Sequence, residues 1–94
     1  MTAGQKRKCA EIAEHYGRRK QEAQTISELS ELLYVLTRRS DQRGIDWKND
    51  LVDELADCSI MFQQVMMLYG ISADEVNERI KLKLNRQIQR MKGE

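Results

Sequence analysis

The sequence predicts an all-α domain of four helices, and three observations lead there. Its 94 residues contain no proline and only five glycines. Leu, Ala, Glu, Gln, Lys, Arg and Met, all good helix formers, dominate, and β-branched runs are scarce. Apolar residues recur at helical spacing between the glycines and polar clusters that punctuate the chain. Residues 1–94 read as a single domain.

The first helix is predicted over Ala3–Tyr16, stopped by Gly17. The second runs from Arg19 to Arg39 and carries Leu29, Leu32, Leu33, Val35 and Leu36 as its apolar stripe. Periodicity breaks over residues 40–49, which read as a loop containing the single tryptophan, Trp47. The third helix begins near Asn49 or Asp50, either of which can cap it, and ends at Gly70. Ser72-Ala73-Asp74-Glu75 is a capping box that opens the fourth helix, predicted to reach Lys92. Val76, Ile80, Leu84, Ile88 and Met91 form its stripe and are expected to be buried, while Arg79, Lys83, Arg86 and Arg90 face water. Tyr34, Phe62 and the methionines Met61, Met66, Met67 and Met91 read as core, the methionines equally as subunit-interface filler. His15 reads as a residue at a helix end.

Composition removes several function classes. A net charge of +1 argues against a protein devoted to bulk nucleic acid, so Lys6-Arg7-Lys8 and Arg18-Arg19-Lys20 read as solvated surface. Cys9 and Cys58 fit no metal or redox spacing and read as reduced thiols. No apolar run approaches the roughly 18 residues that span a bilayer, and no signal-like segment opens the chain. A cytoplasmic protein without membrane contact is expected.

Four carboxylates remain to be explained. Glu28 and Glu31 are three residues apart on the second helix, and Glu54 and Asp57 are three apart on the third. That spacing places both members of a pair on one face. One such pair alone reads as a solvated surface, because Glu is a common surface helix residue. Here there are two, on neighbouring helices joined through residues 32–53, enough chain to turn and run antiparallel. Advancing about 100° per residue puts Glu54 and Asp57 in line with Met61, Val65 and Leu68, on a buried seam. Glu28 and Glu31 border the opposing stripe, in line with Gln21 and Gln24. A carboxylate on a core-facing stripe needs a cation, a hydrogen bond or a proton. With one histidine, no Glu-x-x-His motif and no cysteine pair, the donors are oxygen only, which suits Mg²⁺ or Mn²⁺. Mg²⁺ takes its remaining ligands from water and substrate phosphates, which points to nucleotide chemistry.

The pattern resembles the MazG-like, all-α nucleoside triphosphate pyrophosphohydrolases. Glu28-x-x-Glu31, a spacer, Glu54-x-x-Asp57 and then Lys81 and Asn85 four apart on the last helix follow the family's order. His15-Tyr16-Gly17 followed by Gln21 is similar to its short, single-domain members, and the likeness spans residues 12–92. It implies Mg²⁺-dependent cleavage of a nucleoside triphosphate between its α- and β-phosphates, clearing noncanonical or excess nucleotides. It also implies a homodimer or homotetramer whose paired helices complete a bundle. Carried over, Glu28, Glu31, Glu54 and Asp57 hold metal, Glu31 with Glu28 beside it activates the attacking water, and Lys81 and Asn85 meet the phosphates. A solvated helix flank is the competing reading of Lys81 and Asn85. Trp47 is a candidate to stack on the base, against the plainer reading of a loop anchor. Two positions depart from the family: Ser27 where many members have a further Glu, and Ile88 where many have an Arg. Arg38, Arg39 and Arg43 are candidates to replace that Arg at the phosphates. The departures define the rival reading, a helical nucleotide-sensing or regulatory dimer without turnover.

Overall fold

The computed structural model describes residues 1–38 and 43–94, and the described residues contain four helices and no strand. They are α1 (Ala3–Tyr16), α2 (Arg18–Thr37), α3 (Ile45–Leu68) and α4 (Ala73–Lys92). Local chemistry accounts for the boundaries. Thr2 caps α1 in a reciprocal box with Gln5, at 3.1 and 2.9 Å. Gly17 alone separates α1 from α2, at φ 85°, a conformation that side-chain-bearing residues avoid. Ser72 and Glu75 form the expected second box, at 3.1 and 2.7 Å. The end of α3 is a Schellman motif: Ile71 N–H donates to Met66 O at 2.9 Å and Gly70 N–H to Met67 O at 3.4 Å, with Gly70 at φ 64°. Gly70→Ala is therefore expected to cost about 1 kcal/mol of stability through backbone strain. Nothing lies within 4 Å of the added methyl group. Urea unfolding at fixed protein concentration measures this; an unchanged midpoint would show that the left-handed turn is not maintained.

α2 and α3 form an antiparallel hairpin. Moving up α2, Gln21 meets Gln64, Glu28 meets Cys58, Val35 meets Trp47 and Arg38 meets Asp50. α1 lies against this pair and buries Cys9 and Ala13. The core is small. Cys9, Ala13, Val35, Cys58 and Met61 are its buried apolar residues, joined by Gln21, Thr25 and Gln64. Both cysteines are free thiols. No helix among the described residues is long and apolar enough to cross a membrane.

Three sequence expectations are corrected. First, α3 begins at Ile45, so Trp47 is in its first turn and not in a loop. The Trp47 indole N–H donates to Val35 O at 2.8 Å and the Arg43 guanidinium lies 4.2 Å over its ring. These contacts with α2 and with the residue before the cap anchor a turn that apolar periodicity misses. Of the predicted loop, residues 40–42 fall outside the described residues, as does Arg39. α2 itself begins at Arg18, and its helical run ends at Thr37, where Arg38 turns extended. Second, Tyr34 and Phe62 are exposed, at 65% and 51%, because they face away from the α2–α3 seam. Met67 and Met91 are likewise exposed, and only Met61 of the methionines is fully buried. Third, the α4 stripe is not buried within the chain. Ile80, Leu84, Ile88 and Met91 are exposed, and only Val76 is partly covered, because no other helix packs along α4. The radius of gyration is accordingly 16.3 Å, against about 12 Å for a compact domain of this length.

Candidate metal centre

The hairpin register builds the site. With α2 and α3 antiparallel, the two acidic pairs come to the same level. Each of Glu28, Glu31, Glu54 and Asp57 offers a carboxylate oxygen, and those four atoms lie within 4.8 Å of one another. Glu28 and Glu54 are half-buried and Glu31 is exposed. The Glu28 carboxylate uses Oε1 to accept from Gln24 Nε2 at 2.8 Å. Its Oε2 is buried without a partner, and so is Glu54 Oε2. Two buried carboxylate oxygens with nothing to accept from are costly in the bare chain.

The titration behaviour agrees. The Glu54 carboxyl is pushed above its ordinary range, first by burial, then by the negative charges of Glu31, Asp57 and Glu28. Asp57 is raised first by burial, then by the charges of Glu28 and Asp53. No lysine or arginine forms an ion pair with the quartet among the described residues; the one ion pair there joins Arg38 to Asp50 at 3.3 Å. The donor set therefore fits a hard divalent cation, which takes carboxylate oxygens and removes the repulsion. The Cys58 thiol beside it is held protonated, raised first by burial and then by the quartet's own charge, and donates to Glu28 O at 3.5 Å. It offers no thiolate to a softer metal.

A pH dependence follows. Carboxyls whose folded-state pKa is raised bind protons more tightly when folded. Their contribution to stability is present at low pH and is lost as pH rises through the raised values. Metal-free protein is expected to lose melting temperature as pH rises out of the ordinary carboxyl range toward neutrality, with Mg²⁺ restoring more at the upper end. A metal-free melting temperature that climbs steadily over this range would contradict the clustering of unpaired carboxylates.

Two clefts flank the quartet. The first, about 440 Å³, is bounded by α1, α2 and α3; Glu28 and Asp57 reach it beside Ile12, Tyr16, Lys20, Gln21, Gln24, Ile60 and Met61. The second, about 410 Å³, holds Glu31 and Glu54 with Ser27, Ser30, Tyr34, Asp50 and Asp53, and among the described residues its one basic side chain is the paired Arg38. The four carboxylates thus sit on the ridge between an amphipathic cleft and an acidic one.

The remaining expected site residues are placed differently. Lys81 and Asn85 are exposed on α4 and line neither cleft. Trp47 lines neither cleft. Ser27 opens onto the acidic cleft, and Arg43 lies over Trp47 with its guanidinium donating to Leu36 O and Arg38 O. Sequence reasoning missed Gln64, 1% exposed, whose Oε1 accepts from Gln21 Nε2 at 2.6 Å. Its signal was present: Gln64 falls seven residues after Asp57, on the same buried stripe.

Neither a scan against protein-family models nor searches of curated proteins and of solved structures find a match to this chain.

Proposed function

We propose that this chain is a MazG-like nucleoside triphosphate pyrophosphohydrolase, dependent on Mg²⁺ and acting as an oligomer in the cytoplasm. The observation that carries the reading is the quartet itself: four carboxylates converging within 4.8 Å, with two buried oxygens unpartnered. Mg²⁺ held by these carboxylates would supply neutralising charge for a phosphate chain and an acidified water. Mn²⁺ suits the same donors. Glu28 keeps its Gln24 hydrogen bond through Oε1 and offers Oε2. Glu54 offers Oε2 from the opposite helix. Glu31, which is exposed, would orient a water and hold its proton. Attack on the α-phosphate then releases pyrophosphate and a nucleoside monophosphate. The biological task is removal of noncanonical or surplus nucleotides.

The oligomer is supported by surface area. The chain exposes 7662 Å², about 2,000 Å² more than expected of a compact monomer of its mass. An interface of obligate size would absorb that excess. The uncovered faces have the right pattern: Ile26, Leu29, Leu33 and Leu36 on α2, Val52, Leu55 and Phe62 on α3, and the α4 stripe. The α2 residues repeat at intervals of three and four and the α3 residues at three and seven, the spacing of helices that pack into bundles. A second copy covering α4 would carry Lys81 and Asn85 to the partner's quartet, where an ammonium and an amide N–H meet phosphate oxygens. Dimer and tetramer both satisfy this.

The test is incubation with Mg²⁺ and a panel of ribo- and deoxyribonucleoside triphosphates, with products separated chromatographically. Monophosphate and pyrophosphate in equal amounts are expected from at least one. Folded protein that releases neither would sink the catalytic reading. Nucleotide binding without product would favour the sensor.

A further inference from the structure

The two clefts beside the quartet differ in charge. The acidic one gathers Glu31, Asp50, Asp53 and Glu54, and Arg38 there is already paired with Asp50 at 3.3 Å. A polyphosphate entering it meets carboxylates and no spare cation. The amphipathic cleft takes Glu28 and Asp57 from the quartet, and among the described residues it has one basic side chain, Lys20. Lys20 forms no ion pair among those residues. In the sequence it is the last of three consecutive cations that read as solvated surface, but the structure separates the three. Arg18 is taken up at the end of α3, where its guanidinium donates to Leu68 O at 3.3 Å and lies 4.9 Å over the Tyr69 ring. Arg19 lines neither cleft. The Lys20 ammonium lies 5.0 Å from the centre of the Tyr16 ring, and Tyr16 lines the same cleft. A cation held over an aromatic face keeps its charge, and an ammonium has three N–H donors to give. Lys20 is therefore held at the cleft with donors left for an anion.

Lys20, Gln24 and Glu28 follow one another at four-residue spacing on the face of α2 that lines this cleft. Glu28 and Lys20 are eight residues apart, about 12 Å along the helix axis. The cleft thus runs from a metal-binding end to a cationic end. Resting on the reading of the quartet as a triphosphate site, we infer that Lys20 binds the terminal phosphate of the substrate and distinguishes a nucleoside triphosphate from the diphosphate. Lys20 comes from the same chain as the quartet, whereas the oligomer brings Lys81 from the other copy. In the reaction the water oxygen joins the α-phosphorus and the α–β bond breaks. Its electron pair stays on the bridging oxygen, which departs with pyrophosphate, and Lys20 stays on that departing half. A lysine acts here as a point charge on phosphate oxygens. A contact made equally in the bound substrate and in the transition state lowers KM and leaves kcat alone.

The experiment is steady-state kinetics on the full chain with Mg²⁺, with the best triphosphate of the panel as substrate and its matching diphosphate as competitor. Lys20 is exposed, so its substitution leaves the fold intact. Lys20→Gln is expected to raise KM for the triphosphate by at least about tenfold, the scale of one hydrogen bond to a charged group. The kcat and the inhibition constant of the diphosphate should change little, and Lys20→Arg should keep KM near that of the parent. Arg19→Gln, which removes the neighbouring charge, should leave all three unchanged. Calorimetry of inorganic pyrophosphate with Mg²⁺ reads the same contact without turnover, and its affinity should fall by a similar factor in Lys20→Gln. An unchanged KM, a loss shared equally by the diphosphate, or the same loss in Arg19→Gln would overturn this inference and leave the hydrolase standing. No turnover, but pyrophosphate binding that depends on Lys20, would keep the terminal-phosphate contact and discard the hydrolase. Neither turnover nor pyrophosphate binding would discard both.

Discussion

Glu54→Gln and Asp57→Asn, made singly, are expected to lower Mg²⁺-dependent pyrophosphate release by at least about a hundredfold, on the order of 3 kcal/mol of transition-state stabilisation. Both substitutions keep shape and remove charge. Both positions are on α3, and both carboxyls are raised by burial and by the charges of neighbouring carboxylates. The same variants are expected to be as stable as the parent or more so without metal, because each removes one of four converging negative charges. Thermal melts in chelator and in Mg²⁺ separate the two effects. The parent should gain stability from Mg²⁺ and the variants should gain little. A variant that is both inactive and markedly destabilised without metal would point to a structural carboxylate network.

The second large effect concerns α4. Ile80→Glu and Leu84→Glu place a charge on side chains that are 46% and 61% exposed in the single chain. Nothing within the chain resists either change, so helix content should persist. Assembly should not: light scattering is expected to report a monomer, and activity should fall with it. Complementation then tests what α4 delivers. On the proposed reading, a Lys81→Ala chain would lack the phosphate cation and a Glu54→Gln chain a metal ligand. Each alone should be nearly inactive. Mixed and reassembled, they should regain activity if Lys81 serves the partner's quartet, since some sites then carry both intact residues. No recovery from a properly mixed oligomer would place Lys81 elsewhere. A variant that stays oligomeric with Leu84→Glu would show that α4 is not in the interface.

Much of this arrangement was legible in the chain because it depends on local signals. Thr2 with Gln5 and Ser72 with Glu75 close capping boxes, and Gly17 and Gly70 take positive φ. Those signals mark helix ends whatever the helix packs against. The quartet was legible because i, i+3 spacing and an antiparallel turn bring Glu28 and Glu31 to Glu54 and Asp57. The misjudged positions depend on contacts that spacing does not encode. Trp47 is helical because its indole N–H reaches Val35 O on another helix. Hydrophobicity and helical spacing assign Tyr34, Phe62 and the α4 stripe to a core, yet this chain leaves all of them but Val76 exposed. Apolar periodicity reports that a face is to be covered, not by which chain. The Gln21–Gln64 bond was invisible because a glutamine on a buried stripe declares a polar need without naming its partner.

The central claim is that the quartet exists to hold a divalent cation against a triphosphate. Calorimetric titration of Mg²⁺ into the protein saturated with a triphosphate whose α–β bridge resists hydrolysis tests it most directly. The account predicts saturable binding that is much weaker without the nucleotide and is lost in Glu54→Gln and Asp57→Asn. Mg²⁺ binding that is absent, or that survives both substitutions unchanged, would contradict it.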